Sequence, residues 1–141
     1  MITYGIRSRR SIDTLCIPLQ NVLEFYAHKA PKELDLIITV GHRTERDQNQ
    51  AFASGASKKK WPQSEHNANP SRAFDFIPYP FDNKKDWGDS MRFARIAGAI
   101  LWVAQSEGIT LRWGGDWDMD GKSNDQKFMD LGHIEWESGG Q

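Results

Sequence analysis

The sequence is poor in the features that staple small secreted proteins or commit a chain to a charged partner. One cysteine, Cys16, among 141 residues cannot close an internal disulfide. Such a chain is held by its core and by any metal it binds. Cys16 itself reads as a small buried hydrophobe. Neither sign of charge is in excess: 18 Lys+Arg against 19 Asp+Glu leave a formal charge of -1. That balance lacks the basic stripe of an electrostatically driven nucleic-acid binder. Long hydrophobic runs are missing too. The longest, 97–104, falls far short of the roughly 20 apolar residues that span a bilayer. The first thirteen residues are polar, with Arg7, Arg9 and Arg10, and have no apolar stretch of the kind a secretory signal needs. Together these absences predict a protein made in the cytoplasm, neither inserted in a membrane nor partnered by nucleic acid. The length predicts one domain over 1–141.

What is present predicts a small α+β domain, with helices packed on one face of a short, mainly antiparallel sheet. Pro18 can open a helix, and Leu19, Val22, Leu23 and Tyr26 then form an apolar stripe before Pro31 closes it. Residues 34–40 (LDLIITV) read as a mostly buried strand. Thr44 begins a polar helix with Glu45 and Asp47 in its first turn, where acids suit the positive helix end. Residues 55–72 have almost no periodicity, and loops of that length inside a domain are usually functional. Residues 73–78 (AFDFIP) alternate as a strand with Phe74 and Phe76 on one face and Asp75 on the other. Asp89 can cap a helix that runs to about Glu107 and stops at Gly108, with Trp102 inside it. Residues 109–113 and 132–136 read as two further strands.

Two of the four histidines keep suggestive company. His66 lies in the long loop, within Ser64-Glu65-His66, and Asp75 follows on its strand. Near the C-terminus, Asp130-Leu131-Gly132-His133-Ile134-Glu135-Trp136 places His133 and Glu135 on one strand face. Two imidazoles and one carboxylate are a known ligand set for catalytic zinc, with a fourth position left for water. Zinc acidifies that water and polarises a carbonyl, which together make a hydrolase. An acid must then carry the proton to the leaving amine. Asp130 is close in sequence to serve, and Glu135 is its rival. Residue types alone leave a hydrogen-bonded core His or a surface His as alternatives at each position.

Ser64-Glu65-His66 … Ala73-Phe74-Asp75, then Asp130-Leu131-Gly132-His133, resembles the zinc peptidase family that contains the phage L-alanyl-D-glutamate endopeptidases and the D-alanyl-D-alanine carboxypeptidases and dipeptidases. Gly41-His42-Arg43-Thr44 with Gln48 or Gln50 is similar to that family's Gly-x-Arg-(Ser/Thr) … Gln segment. Arg112-Trp113-Gly114-Gly115-Asp116-Trp117 is similar to the stretch that precedes the final His in its phage members. The resemblance implies zinc held by His66, Asp75 and His133, Asp130 as the catalytic acid and base, and Arg43 as holder of a substrate carboxylate. A guanidinium suits that last task because it binds carboxylates bidentately. Two departures stand out. The insert between His66 and Asp75 is longer than the common family form, and the acid is Asp130 rather than Glu, which favours the phage endopeptidase branch.

A second metal feature is Asp116-Trp117-Asp118-Met119-Asp120-Gly121. Acids at alternate positions followed by Gly match the opening of a calcium loop. Position twelve of that loop is Lys127 rather than a bidentate Glu. The expectation is a weak calcium site at Asp116, Asp118 and Asp120, with a solvated acidic turn as the alternative. Lys58-Lys59-Lys60 suits either an anionic wall or plain solvent.

The reading that results is a zinc metallopeptidase, a phage endolysin cutting the L-alanyl-D-glutamate bond of the peptidoglycan stem peptide. It is expected to be a monomer without a separate wall-binding domain. It would be made in the host cytoplasm and released to the periplasmic wall by a membrane pore former (holin). The alternatives are a D-alanyl-D-alanine carboxypeptidase of the same family and a non-catalytic metal-stabilised wall-binding module. A metal nuclease is disfavoured by the neutral charge.

Overall fold

The computed structural model describes residues 1–117, 119 and 130–137. Four strands, β1 (Leu36–Val40), β2 (Ala73–Pro78), β3 (Leu111–Gly114) and β4 (Asp130–Trp136), form one antiparallel sheet in the order β1-β2-β4-β3. Among the described residues four α-helices accompany it: α1 (Ile6–Ile12), α2 (Ile17–Lys29), α3 (Glu45–Ala53) and α4 (Ser90–Ser106). The architecture is the expected α+β class.

Each long element begins and ends where local chemistry directs. Pro18 sits in the first turn of α2, where its missing N–H costs nothing. Thr44 caps α3 by accepting a hydrogen bond from the Asp47 N–H at 3.2 Å. Asp89 caps α4 through the Arg92 N–H, and Gly108, at φ 75°, takes the left-handed turn that ends it. One stripe of α4, Phe93, Ile96, Ala97, Ile100 and Ala104, is almost wholly buried.

Strand alternation divides the sheet into two unlike faces. Phe74, Phe76, Ile38 and Ile134 are buried on the face covered by α4, with the Phe76 and Phe93 rings 5.8 Å apart. α2 packs behind α4 and completes the core with Leu19, Val22, Leu23 and Tyr26. Cys16 is buried there as expected. Asp75, His133 and Glu135 occupy the alternate positions and point to the other face.

The structure differs from the sequence-based expectation in several places. The N-terminal stretch is not simply polar: α1 lies against β1, and Ile2, Tyr4 and Ile12 enter the core. Ser8 of α1 accepts a hydrogen bond from the Ile38 N–H and so covers a polar group of the edge strand. Seven residues are too few for a helical period to show against three arginines. β1 starts at Leu36 because Lys32–Leu34 form a 3-10 turn. β4 starts at Asp130, ahead of the expected 132, because Asp130 pairs with Gly114. Trp102 lies on α4 but points outward, 66% exposed. Among the described residues no helix is long and apolar enough to cross a membrane.

Candidate active site

Register brings the first two site residues together. In the β2–β4 ladder Asp75 lies opposite His133. His66 arrives from the long loop on a 3-10 turn, Glu65–Asn67, that is held by reciprocal hydrogen bonds. The Ser64 hydroxyl oxygen accepts from the His66 N–H, and the Asn67 side-chain oxygen accepts from the Ser64 N–H. As a result Asp75 Oδ1 lies 3.0 Å from His66 Nε2 and 3.1 Å from His133 Nδ1. One donor atom from each of the three residues falls within 4.8 Å of the others.

The far side of each ring fixes which nitrogen faces inward. His66 Nδ1 is 2.8 Å from the Gly41 carbonyl oxygen, which can only accept, so Nδ1 carries the hydrogen there. His133 Nε2 is likewise 2.8 Å from the Glu135 carboxylate. Both remaining nitrogens then turn lone pairs toward Asp75, an arrangement that needs a cation or protons between the groups. Separations of 3.0 and 3.1 Å are close to the edge of a zinc tetrahedron built from bonds of roughly 2.0–2.1 Å. The donor set fits a divalent metal of the zinc type.

Without a metal, a proton on His133 takes part of that role. Burial disfavours charge on His133, but its hydrogen bonds to Asp75 and Glu135 win and raise its pKa to about 9. Burial likewise opposes ionisation of Asp75, yet the two imidazoles hold its carboxyl well below the usual carboxylate range. Asp130 behaves differently. Burial, reinforced by the nearby Asp75 charge, pushes its carboxyl up.

Around this centre the molecule opens into a groove of about 1100 Å³. Asp75, His66, His133, Asp130 and Arg43 all line it. Arg43 reaches within 3.5 Å of Asp75 Oδ2 and donates to the Gln48 side-chain oxygen at 3.0 Å. Gln48 is fully buried and uses its whole amide. Its oxygen also accepts from Asn67, and its nitrogen donates to Ser57 and to the Lys59 carbonyl oxygen. One side chain thereby ties Arg43 to the His66 turn and to the lysine loop. Lys58 and Lys59 line the same groove.

Two glycines permit close backbone approach. A Cβ on Gly41 would sit 2.2 Å from the Thr14 hydroxyl and 2.5 Å from the Ser11 carbonyl oxygen. Only glycine lets the Gly41 carbonyl stay in place for His66 Nδ1. A Cβ on Gly114 would meet the Asp130 carbonyl oxygen at 2.0 Å, so glycine there lets β3 approach the start of β4.

A family model for phage L-alanyl-D-glutamate peptidases matches residues 2–136. The chain belongs to that family. It is 31% identical over 135 residues to the L-alanyl-D-glutamate peptidase of Escherichia phage T5, covering 94% of this chain and 96% of that one. Its fold is also similar to that of the Serratia marcescens L-Ala D-Glu endopeptidase ChiX. That match has a TM-score of 0.71 at 19% identity and covers 97% of this chain and 90% of the other.

Within this family member, the structure brings His66, Asp75, His133, Asp130 and Arg43 to one groove. Glu135 lies beside them, 4% exposed, with one oxygen on His133 and the other 2.6 Å from Arg112 Nη2. Asp116 begins a turn in which the Met119 N–H donates to its carbonyl oxygen. Asp118 and Asp120 of the expected calcium loop lie outside the described residues. His42 is a hydrogen-bonded histidine, its Nδ1 3.0 Å from the Ala68 carbonyl oxygen, and His28 is exposed. Sequence reasoning missed the role of Asn67 and the pairing of Arg112 with Glu135. The first has a readable signal, Ser64 three residues before Asn67, which is a cap spacing. The second depends on strand register and has none.

Proposed function

We propose that the protein is a zinc-dependent peptidoglycan peptidase, a phage endolysin that hydrolyses the L-alanyl-D-glutamate bond of the stem peptide. The observation that carries the reading is a His66–Asp75–His133 donor set sharing one groove with Asp130 and Arg43, in a chain of this family. Bound by the three residues, zinc would supply Lewis acidity, acidifying a water and polarising the scissile carbonyl. Asp130 takes the proton from the attacking water and passes it to the departing amine. Asp130 lines the same groove as the donor set, which puts its carboxyl within the site where the water and the leaving amine would lie. Arg43, already oriented by Gln48, holds a carboxylate of the peptide and sets the scissile bond over Asp130. The groove itself supplies substrate affinity, the protein works as a monomer, and a holin-type pore releases it from the cytoplasm to the wall.

Calcium is proposed as a second ion at Asp116, Asp118 and Asp120, on the strength of their alternate spacing. Calcium chelation should then lower activity or melting temperature, and an unchanged protein would exclude the ion.

Digestion of purified murein followed by mass spectrometry tests the reaction. The expected products are glycan fragments that keep L-alanine and free peptides that begin with D-glutamate. Release of free D-alanine would instead make the protein a carboxypeptidase. Asp130→Ala should retain zinc and lose turnover by roughly 10²–10⁴-fold. Full activity in that variant would refute the role given to Asp130.

A further inference from the structure

Glu135 has no part in the proton transfers above, yet it is among the most buried charged side chains described, at 4% exposure. A buried carboxylate is expensive unless every lone-pair direction in use meets a donor. Both of its oxygens do: Oε1 faces His133 Nε2 at 2.8 Å, and Oε2 accepts from Arg112 Nη2 at 2.6 Å. Strand register explains how the row forms. Arg112 of β3 pairs with Glu135 of β4, and His133 of β4 pairs with Asp75 of β2. Four side chains from three strands therefore stand on one face of the sheet in the order Arg112, Glu135, His133, Asp75.

Arg112 is committed to this row. Its guanidinium lies 5.6 Å from the Trp117 ring centroid, and that ring lies 5.5 Å from the His133 ring. Its Nε is buried with no hydrogen-bond partner among the described residues. The ion pair with Glu135 is thus the contact that accounts for the position of Arg112.

We propose that Glu135, braced by Arg112, is the positioning residue that keeps His133 in the tautomer with Nδ1 turned toward Asp75 and the metal. An imidazole whose Nε2–H is held by a carboxylate cannot rotate or move that hydrogen to Nδ1 without breaking a charge-assisted bond. It is also a more basic ligand, and outer carboxylates of this kind are worth about 10–100-fold in metal affinity. The Trp117 ring packs against the same imidazole. Glu135 is distinguished by this from a proton carrier, since neither oxygen is free to collect a proton from substrate or water.

The inference rests on the reading that His66, Asp75 and His133 hold zinc, and the experiment separates the two. Zinc affinity is measured by competition with a chromophoric chelator for the full-length wild type, Glu135→Gln, Glu135→Ala, Arg112→Met and Asp130→Ala, each checked for folding by circular dichroism. The expected order is an unchanged affinity in Asp130→Ala and a smaller loss in Arg112→Met. Glu135→Gln, which still offers an amide oxygen to His133, should also lose little, and Glu135→Ala should lose about 10–100-fold. Excess zinc should restore turnover in Glu135→Ala but not in Asp130→Ala. A folded Glu135→Ala protein that binds zinc as tightly as wild type overturns the proposal. Nitrogen-15 shifts of His133 in the zinc-loaded wild type supply a reading that needs no variant. A hydrogen on Nε2 supports the proposal, and one on Nδ1 overturns it. A wild type that takes up no zinc, or a His66→Ala protein that takes it up undiminished, removes the zinc reading itself.

Discussion

The two faces of the central sheet are made by the same strands and follow opposite rules. On one, Phe74, Phe76 and Ile134 are fully buried against α4. On the other, Asp75, His133 and Glu135 are gathered with their charges in mutual contact. Successive residues of β2 and β4 alternate between them, so the site is separated from the core by the thickness of one backbone. The apolar face gains from removing area from water and tolerates exchange of one hydrophobe for another only where volume is kept. The polar face holds groups that cost free energy to bury and is stable only because each has a partner. One face therefore carries stability and the other chemistry, and substitutions should sort accordingly.

The largest expected effect lies on the polar face. His66→Ala should abolish zinc binding and activity while leaving the helical circular-dichroism signal intact, because the apolar face is untouched. Loss of the folded signal would show that the two faces are not separable. Next comes Phe76→Ala on the apolar face, expected to cost about 3–5 kcal/mol of unfolding free energy, read from denaturant titration. The zinc stoichiometry of the fraction that remains folded should stay at the wild-type value. A Phe76→Ala protein that folds stably but has lost zinc would break the division.

The smallest effect is one of pH and belongs to the polar face alone. In chelator-treated protein His133 has its pKa raised from 6.5 to about 9. Its stabilising contribution is fully present below 6.5 and is lost as pH rises through about 9. Glu135 is shifted the other way. Burial opposes its charge, but His133 and Arg112 hold it down to about 2 from 4.5, so its contribution is present above 4.5 and lost as pH falls toward 2. The contributions of His133 and Glu135 to the metal-free protein should accordingly both be fully present between 4.5 and 6.5. Zinc must displace the proton on His133, so its affinity should rise by about tenfold per pH unit until that group has titrated. A pH-independent zinc affinity between 6.5 and 9 would show that His133 is not protonated in the free site.

Much of this arrangement could be read from the residues in order. Thr44 and Asp89 mark helix starts by accepting from an N–H three residues on, Pro18 marks one by its missing N–H, and Gly108 marks a helix end by its left-handed turn, all local effects. The alternation of 73–78 gives both faces of β2, and it places Asp75 opposite its phenylalanine neighbours. The helix α1 was not legible, because its burial comes from contact with β1 about thirty residues away rather than from a period of its own. The buried amide of Gln48 is similar. A glutamine in a polar helix looks like a solvated residue until the chain folds Ser57, Lys59, Arg43 and Asn67 around it.

What the sequence determined by itself was the inventory and its local grammar: one cysteine and so no disulfide, balanced charge, and strands of period two. It also fixed the ordered Ser-x-His, Ala-x-Asp and Asp-x-x-His signatures whose donors suit zinc. Only the tertiary structure decided that those donors meet. His66 and His133 are far apart along the chain, and their approach depends on an antiparallel register that sets Asp75 against His133. The folded chain also supplied a partner for each imidazole's outer nitrogen: the Gly41 carbonyl for His66, and for His133 its same-strand neighbour Glu135, braced by Arg112 of β3. Sequence spacing put Glu135 on the face of His133 but carried no information about Gly41, Asp75 or Arg112, because those approaches are set by which segments meet and in what alignment.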